Sequence, residues 1–132
     1  MHNDNIDIFT ESLSRCTKDP KFMDVFYQKF IAESQEVKDH FKNTDMDRQK
    51  KMLLHSLANM VIAYERPEIL SDVAVKHDAR HLNIMPDLYV TWLECLIQAA
   101  QIIDPLFNDE VERSWRIVMQ NGIDYLISQR DR

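Results

Sequence analysis

A single glycine, Gly122, and four prolines stand in 132 residues. So little Gly and Pro leaves few tight turns and argues for long helices. No stretch stays apolar for the ~18 residues a membrane-crossing helix needs, so no transmembrane segment is expected. Positive charge is in deficit: 16 Lys and Arg against 22 Asp and Glu give a net charge of −6. That balance disfavours nonspecific binding to nucleic acid or to an anionic membrane. Cysteine is scarce too. Cys16 and Cys95 lie far apart with no CxxC, which fits a reduced cytoplasm and two small core thiols. The opening MHNDNIDIFTES lacks the basic-then-apolar layout of a secretory signal, so the expected location is cytoplasmic.

What is present is a helical pattern. The length suits one domain spanning residues 1–132. Apolar residues make up 45% and charged residues 29%, as in ordinary globular chains. Asp19 followed by Pro20 starts a helix that runs to about Glu33, with Phe22, Met23, Phe26, Tyr27, Phe30 and Ile31 three and four apart. ESQEVKDHF forms a short polar helix ending at Phe41. DMDRQKKMLLHSLANMVIAYE carries a stripe of Met46, Leu53, Leu54, Leu57, Met60, Val61 and Tyr64, with Gln49 one turn before Leu53. Helices follow from Pro67, from Pro86 to Ile103, and through the final DPLFNDEVERSWRIVMQNGIDYLISQ. No strand pattern stands out. The class is all-α, with six or seven helices.

DVAVKHDARHLNI, residues 72–84, holds His77 and His81 four apart. On a continuous helix they would share a face. A zinc site would need further ligands. His55 and Asp78 are available in number, but no recognised spacing assembles them.

VFYQKFIAESQEVKDHF, then a polar corner, then DRQKKML and VAVKHDARHLNIMPDLYVTW, resemble a bacterial single-domain globin. They are similar to the haem domain of flavohaemoglobins and to the globin part of globin-coupled sensors. The likeness covers roughly residues 18–128. It implies a globin fold around haem b (iron protoporphyrin IX). It implies that one histidine holds the iron, and His77 is the favoured one. One and two turns earlier lie Val73, Ala74 and Leu70, which would floor the ring. With His81 as ligand, His77 itself would press on the porphyrin. His81, with Lys76 and Arg80, would instead be solvated or face a propionate.

The resemblance also implies a distal side built by Tyr27 and Gln49, with Arg48 and Lys50 as competitors for the second place. Leu53 would cover the gas, and Phe41, 14 positions after Tyr27, would wedge the haem. Ile84 and Tyr89 would touch the proximal edge. Dioxygen held there carries partial negative charge, so a phenol or amide donor strengthens its retention. Two departures from flavohaemoglobins stand out. An acidic residue late in the last helix is replaced near Arg130, and Met119 stands where a tyrosine is common. No CxxCH is present, so the haem would be non-covalent. The implied ligands are dioxygen, nitric oxide and carbon monoxide. The implied roles are oxygen binding or transport, gas sensing with a signalling partner, or nitric oxide dioxygenation with a separate reductase, since no GxGxxG appears. Trp92 and Trp115 suit core or homodimer contacts.

Overall fold

The computed structural model describes residues 4–131. Seven α-helices and one 3-10 turn make up its regular structure, with no strand among the described residues. They are α1 (Asp4–Thr17), α2 (Lys21–Glu33), α3 (Gln35–Phe41), α4 (Met46–Ala63), the turn Pro67–Leu70, α5 (Ser71–His77), α6 (Pro86–Ile103) and α7 (Asp109–Ser128). Among the described residues no helix is long and apolar enough to cross a membrane.

Local chemistry sets the helix starts. Side-chain oxygens cap three of them: Ser34 accepts from the Val37 N–H, Asp45 from Arg48 and Asn108 from Val111. Asp19 accepts from the Lys21 N–H at 2.9 Å and opens α2. Pro86 occupies the first position of α6, where its missing N–H costs no hydrogen bond.

The long helices pair α1 with α7 and α2 with α6. Phe9 and Trp115 meet edge to face at 4.8 Å, both fully buried. Cys16 and Cys95 are free and buried, as expected of core thiols. Trp115 is core rather than surface. Gly122 gives the Met60 side chain of α4 room against α7, because a Cβ there would run into the Met60 sulfur. One expected core position is not core. Leu54 is 43% exposed, because the buried face of α4 follows Leu53, Leu57 and Met60, and Leu54 lies round the helix from it.

A buried polar network ties this frame together. The Trp115 indole N–H donates to Ser12 Oγ at 2.9 Å, and Ser12 donates to Asp104 Oδ2 at 2.6 Å. Arg15 grips the same carboxylate through Nε at 2.6 Å and Nη2 at 3.0 Å. The Leu106 N–H adds a fourth donor at 2.9 Å. Asp104 thus joins α1, the end of α6 and α7. Burial alone would raise its pKa, but the hydrogen bonds from Arg15, Ser12 and Leu106 outweigh it and hold the carboxyl below its usual range.

A folded-state pKa below the unfolded one gives stability that is present above the ordinary value of 3.8. That stability fades as pH falls through the lowered value. Asp104→Asn should therefore destabilise the fold by about 2–3 kcal/mol at pH 7, with a smaller deficit in acid. Urea unfolding at both pH values checks this. An equal deficit at both would contradict it.

Candidate haem pocket

His77 is the last residue of α5. Its side chain is half-buried and shares a face with Val73, Ala74 and Leu70, one and two turns earlier. Leu70 and Ala74 are buried, and Val73 packs against the core while remaining partly open. His77 Nδ1 lies 3.0 Å from the Tyr89 hydroxyl, in the first turn of α6. Burial, helped by repulsion from His40 and Lys76, lowers the imidazole pKa below its usual 6.5. The ring is therefore neutral at neutral pH. Among the described residues Nε2 has no hydrogen-bond partner.

His81 occupies a different setting. α5 stops at His77 because Asp78 adopts an extended conformation. The two histidines consequently do not share one helical face. His81 lies in the following turn, 54% exposed, with Nδ1 2.8 Å from Asp78 Oδ1. That contact, with the Arg80 N–H, depresses the Asp78 pKa. Among the described residues no cluster of three or more His, Cys, Asp or Glu is arranged to hold a metal ion, so the zinc alternative lacks its ligands.

The aromatic side is assembled from three helices. Tyr27, on α2, is buried and meets the Phe41 ring edge to face at 5.7 Å. Phe41 ends α3 and is also flanked by Phe30 at 6.1 Å and His40 at 4.8 Å. The Tyr27 hydroxyl donates to the Gln49 main-chain carbonyl, in the first turn of α4, at 3.4 Å. Burial raises its pKa to about 12, so it remains a donor across the working pH range. Leu53 is buried one turn past Gln49. Gln49 is half-buried, Arg48 is exposed, and Lys50 is engaged by Asp24 at 2.6 Å. Ile84 packs partly buried beside the corner that follows His77.

The sequence-derived residues thus fall into two groups. Tyr27, Phe41, Gln49 and Leu53 form one, and Val73, His77, Ile84 and Tyr89 surround the end of α5. His81 joins neither. Asp104 and its donors went unremarked in the sequence, although Asp104 before Pro105 marks a helix end. Tyr89, the tyrosine of the PDLY stretch that the resemblance implies can bond the proximal region, lies 3.0 Å from His77 Nδ1.

A crystal structure from Pseudomonas aeruginosa PAO1, of a protein described as structurally highly homologous to a human hemoglobin, superposes with a TM-score of 0.93. The match is 31% identical and covers 98% of this chain and 100% of that one. The chain belongs to the globin family. A flavohemoprotein of Candida albicans is 33% identical over 110 residues, 77% of this globin. The chain spans 27% of that protein's length and resembles its haem domain. No family model matches.

Globin membership implies a haem cofactor, and the residues fit one. A neutral imidazole with Nδ1 engaged and Nε2 unpartnered is a suitable iron ligand. The flanking apolar groups, Phe41, Val73 and Ile84, pack against the core yet remain partly exposed, which leaves them apolar surface for a ring to cover.

Proposed function

We propose that this globin, as one domain of residues 1–132, holds haem b non-covalently through His77 and binds diatomic gases reversibly. The observation that carries the proposal is the His77–Tyr89 hydrogen bond. A neutral imidazole that donates its Nδ1 proton to the Tyr89 oxygen presents a lone pair at Nε2. The Tyr89 hydroxyl can accept from Nδ1–H or donate to a bare Nδ1; with Nε2 taken up by iron only the first arrangement remains, and it would fix the ring plane. When bound, haem supplies an iron with one open position for dioxygen, carbon monoxide or nitric oxide.

The chain's residues would then do the rest. Val73 and Ala74 support the ring beneath, and Phe41 and Ile84 bound its edges. Leu53 narrows the access to the gas. Tyr27 is the donor best suited to a partly negative gas molecule. Its present bond to Gln49 is long for a hydroxyl, so re-aiming it sacrifices little. Lys76, Arg80 and His81 are exposed on the proximal corner and suit the propionates.

Oxygen binding, for carriage or sensing, is the main reading. The Tyr27–Gln49 pairing and the flavohemoprotein likeness favour nitric oxide dioxygenation as the second. That activity requires electrons from a reductase. Fast nitrate formation from the oxygenated protein, sustained by reductant, separates the two. A signalling partner or a homodimer would show as association that changes with gas.

Absorption spectra of the reduced protein, with and without carbon monoxide, test the ligand. The parent and His81→Ala should show the carbon monoxide shift, whereas His77→Ala should lose it or lose haem. The reverse pattern, or a colourless parent, would overturn the assignment.

A lost charge-assisted bond of roughly 1.5–3 kcal/mol corresponds to about tenfold or more in affinity. Tyr27→Phe should therefore release dioxygen about tenfold faster or more, because such losses act mainly on dissociation. Stopped-flow measurement decides, and an unchanged rate would remove Tyr27 from the pocket.

A further inference from the structure

The corner between α5 and α6, residues 78–85, folds back onto the end of α5. Its amides satisfy the terminal carbonyls: Leu82 N–H donates to Lys76 O at 3.0 Å, and Ile84 N–H to His77 O at 3.0 Å. Asn83 N–H donates to Asp78 O at 2.8 Å. Asn83 sits at φ 52, the left-handed region that asparagine tolerates better than most side chains.

Arg130, just past α7, holds this corner from outside at three points. Its carbonyl accepts from the Ala79 N–H at 2.9 Å. Its Nη2 donates to Asn83 Oδ1 at 2.5 Å and contacts the Met85 sulfur at 3.0 Å. Nη1 pairs with the neighbouring Asp131 at 3.1 Å. The Nε–H is buried without an acceptor. The side chain as a whole is only 21% exposed, so this is not a freely solvated cation lying near the corner.

Those three points bracket both partners of the pocket's central bond. Ala79 is two residues after His77. Met85 directly precedes Pro86, and Tyr89 is the fourth residue of α6. We propose that Arg130 is a positioning residue for His77: by clamping residues 79–85 it fixes the end of α5 and the start of α6, and so the contact of the imidazole with Tyr89. The guanidinium fork can meet Asn83 and Met85 while its backbone meets Ala79, which a lysine ammonium on a flexible stem would do poorly. The inference rests on His77 being the iron ligand only for its effect on haem. The clamping itself is a property of the polypeptide.

The test uses Arg130→Met and Arg130→Lys, with Arg116→Met as control. Arg116 lies on α7, upstream of Arg130, but pairs with Glu94 and Glu112, away from the corner. In the haem-free chain, amide exchange at Leu82, Asn83 and Ile84 should quicken about tenfold in Arg130→Met, by local opening. Arg130→Lys should fall between that variant and the parent, and Arg116→Met should leave these amides unchanged. In the reduced haem-loaded protein, the iron–histidine stretching band should broaden or shift in Arg130→Met alone.

Should Arg130→Met fail to fold, Asn83→Gly keeps the left-handed backbone, removes the acceptor and should quicken the same amides. Unchanged protection in these variants, or equal loss in Arg116→Met, overturns the proposal. Failure of the His77 assignment would appear differently, as a missing iron–histidine band in the parent while the haem-free exchange result stands.

Discussion

The contact between His77 Nδ1 and the Tyr89 hydroxyl is the constraint on which the rest depends. A half-buried imidazole has two nitrogens and two neutral tautomers, and only one of them offers Nε2 as a ligand. Tyr89 also resists ionisation, its pKa raised to about 12 by burial. It therefore stays a hydroxyl, which accepts from Nδ1–H whenever Nε2 is occupied by iron. Burial keeps the imidazole neutral for the same reason that it keeps the phenol protonated: the charged forms are poorly solvated there.

The scaffold supports that contact from a distance. Pro86 begins α6 where a proline is tolerated and so sets the position of Tyr89. The Asp104 network fixes the other end of α6 to α1 and α7 through a carboxylate with four donors. Close approach at Gly122 lets α7 lie against Met60 and Leu70, and Leu70 belongs to the turn that leads into α5. The helix that carries His77 is only seven residues long, too short to hold its own geometry. Its placement comes from these contacts at either end.

The helices were legible because the sequence marks them chemically. α6 begins at the proline and ends at the isoleucine that the pattern predicted, and α3 ends at Phe41. The grouping of Tyr27 with Phe41 and Gln49 followed from the family resemblance rather than from periodicity. Other features depend on tertiary packing and left no local signal. Leu54 fits a helical stripe of leucines, yet the neighbouring helices cover only one side of α4. His81 looked like a partner of His77 until the chain turned at Asp78. Arg130 read as a departure from the flavohaemoglobin pattern, and its side chain meets Asn83 and Met85, 47 and 45 residues away.

Ring-nitrogen NMR of the reduced, carbon monoxide-bound protein, labelled with nitrogen-15 in histidine, tests the central claim most directly. The account predicts that His77 carries its proton on Nδ1, hydrogen-bonded to Tyr89, with Nε2 bare of a proton, and that Tyr89→Phe shifts the Nδ1 resonance to that of a weaker hydrogen bond. A proton found on Nε2 of His77, or an Nδ1 signal indifferent to the loss of the Tyr89 hydroxyl, would contradict it.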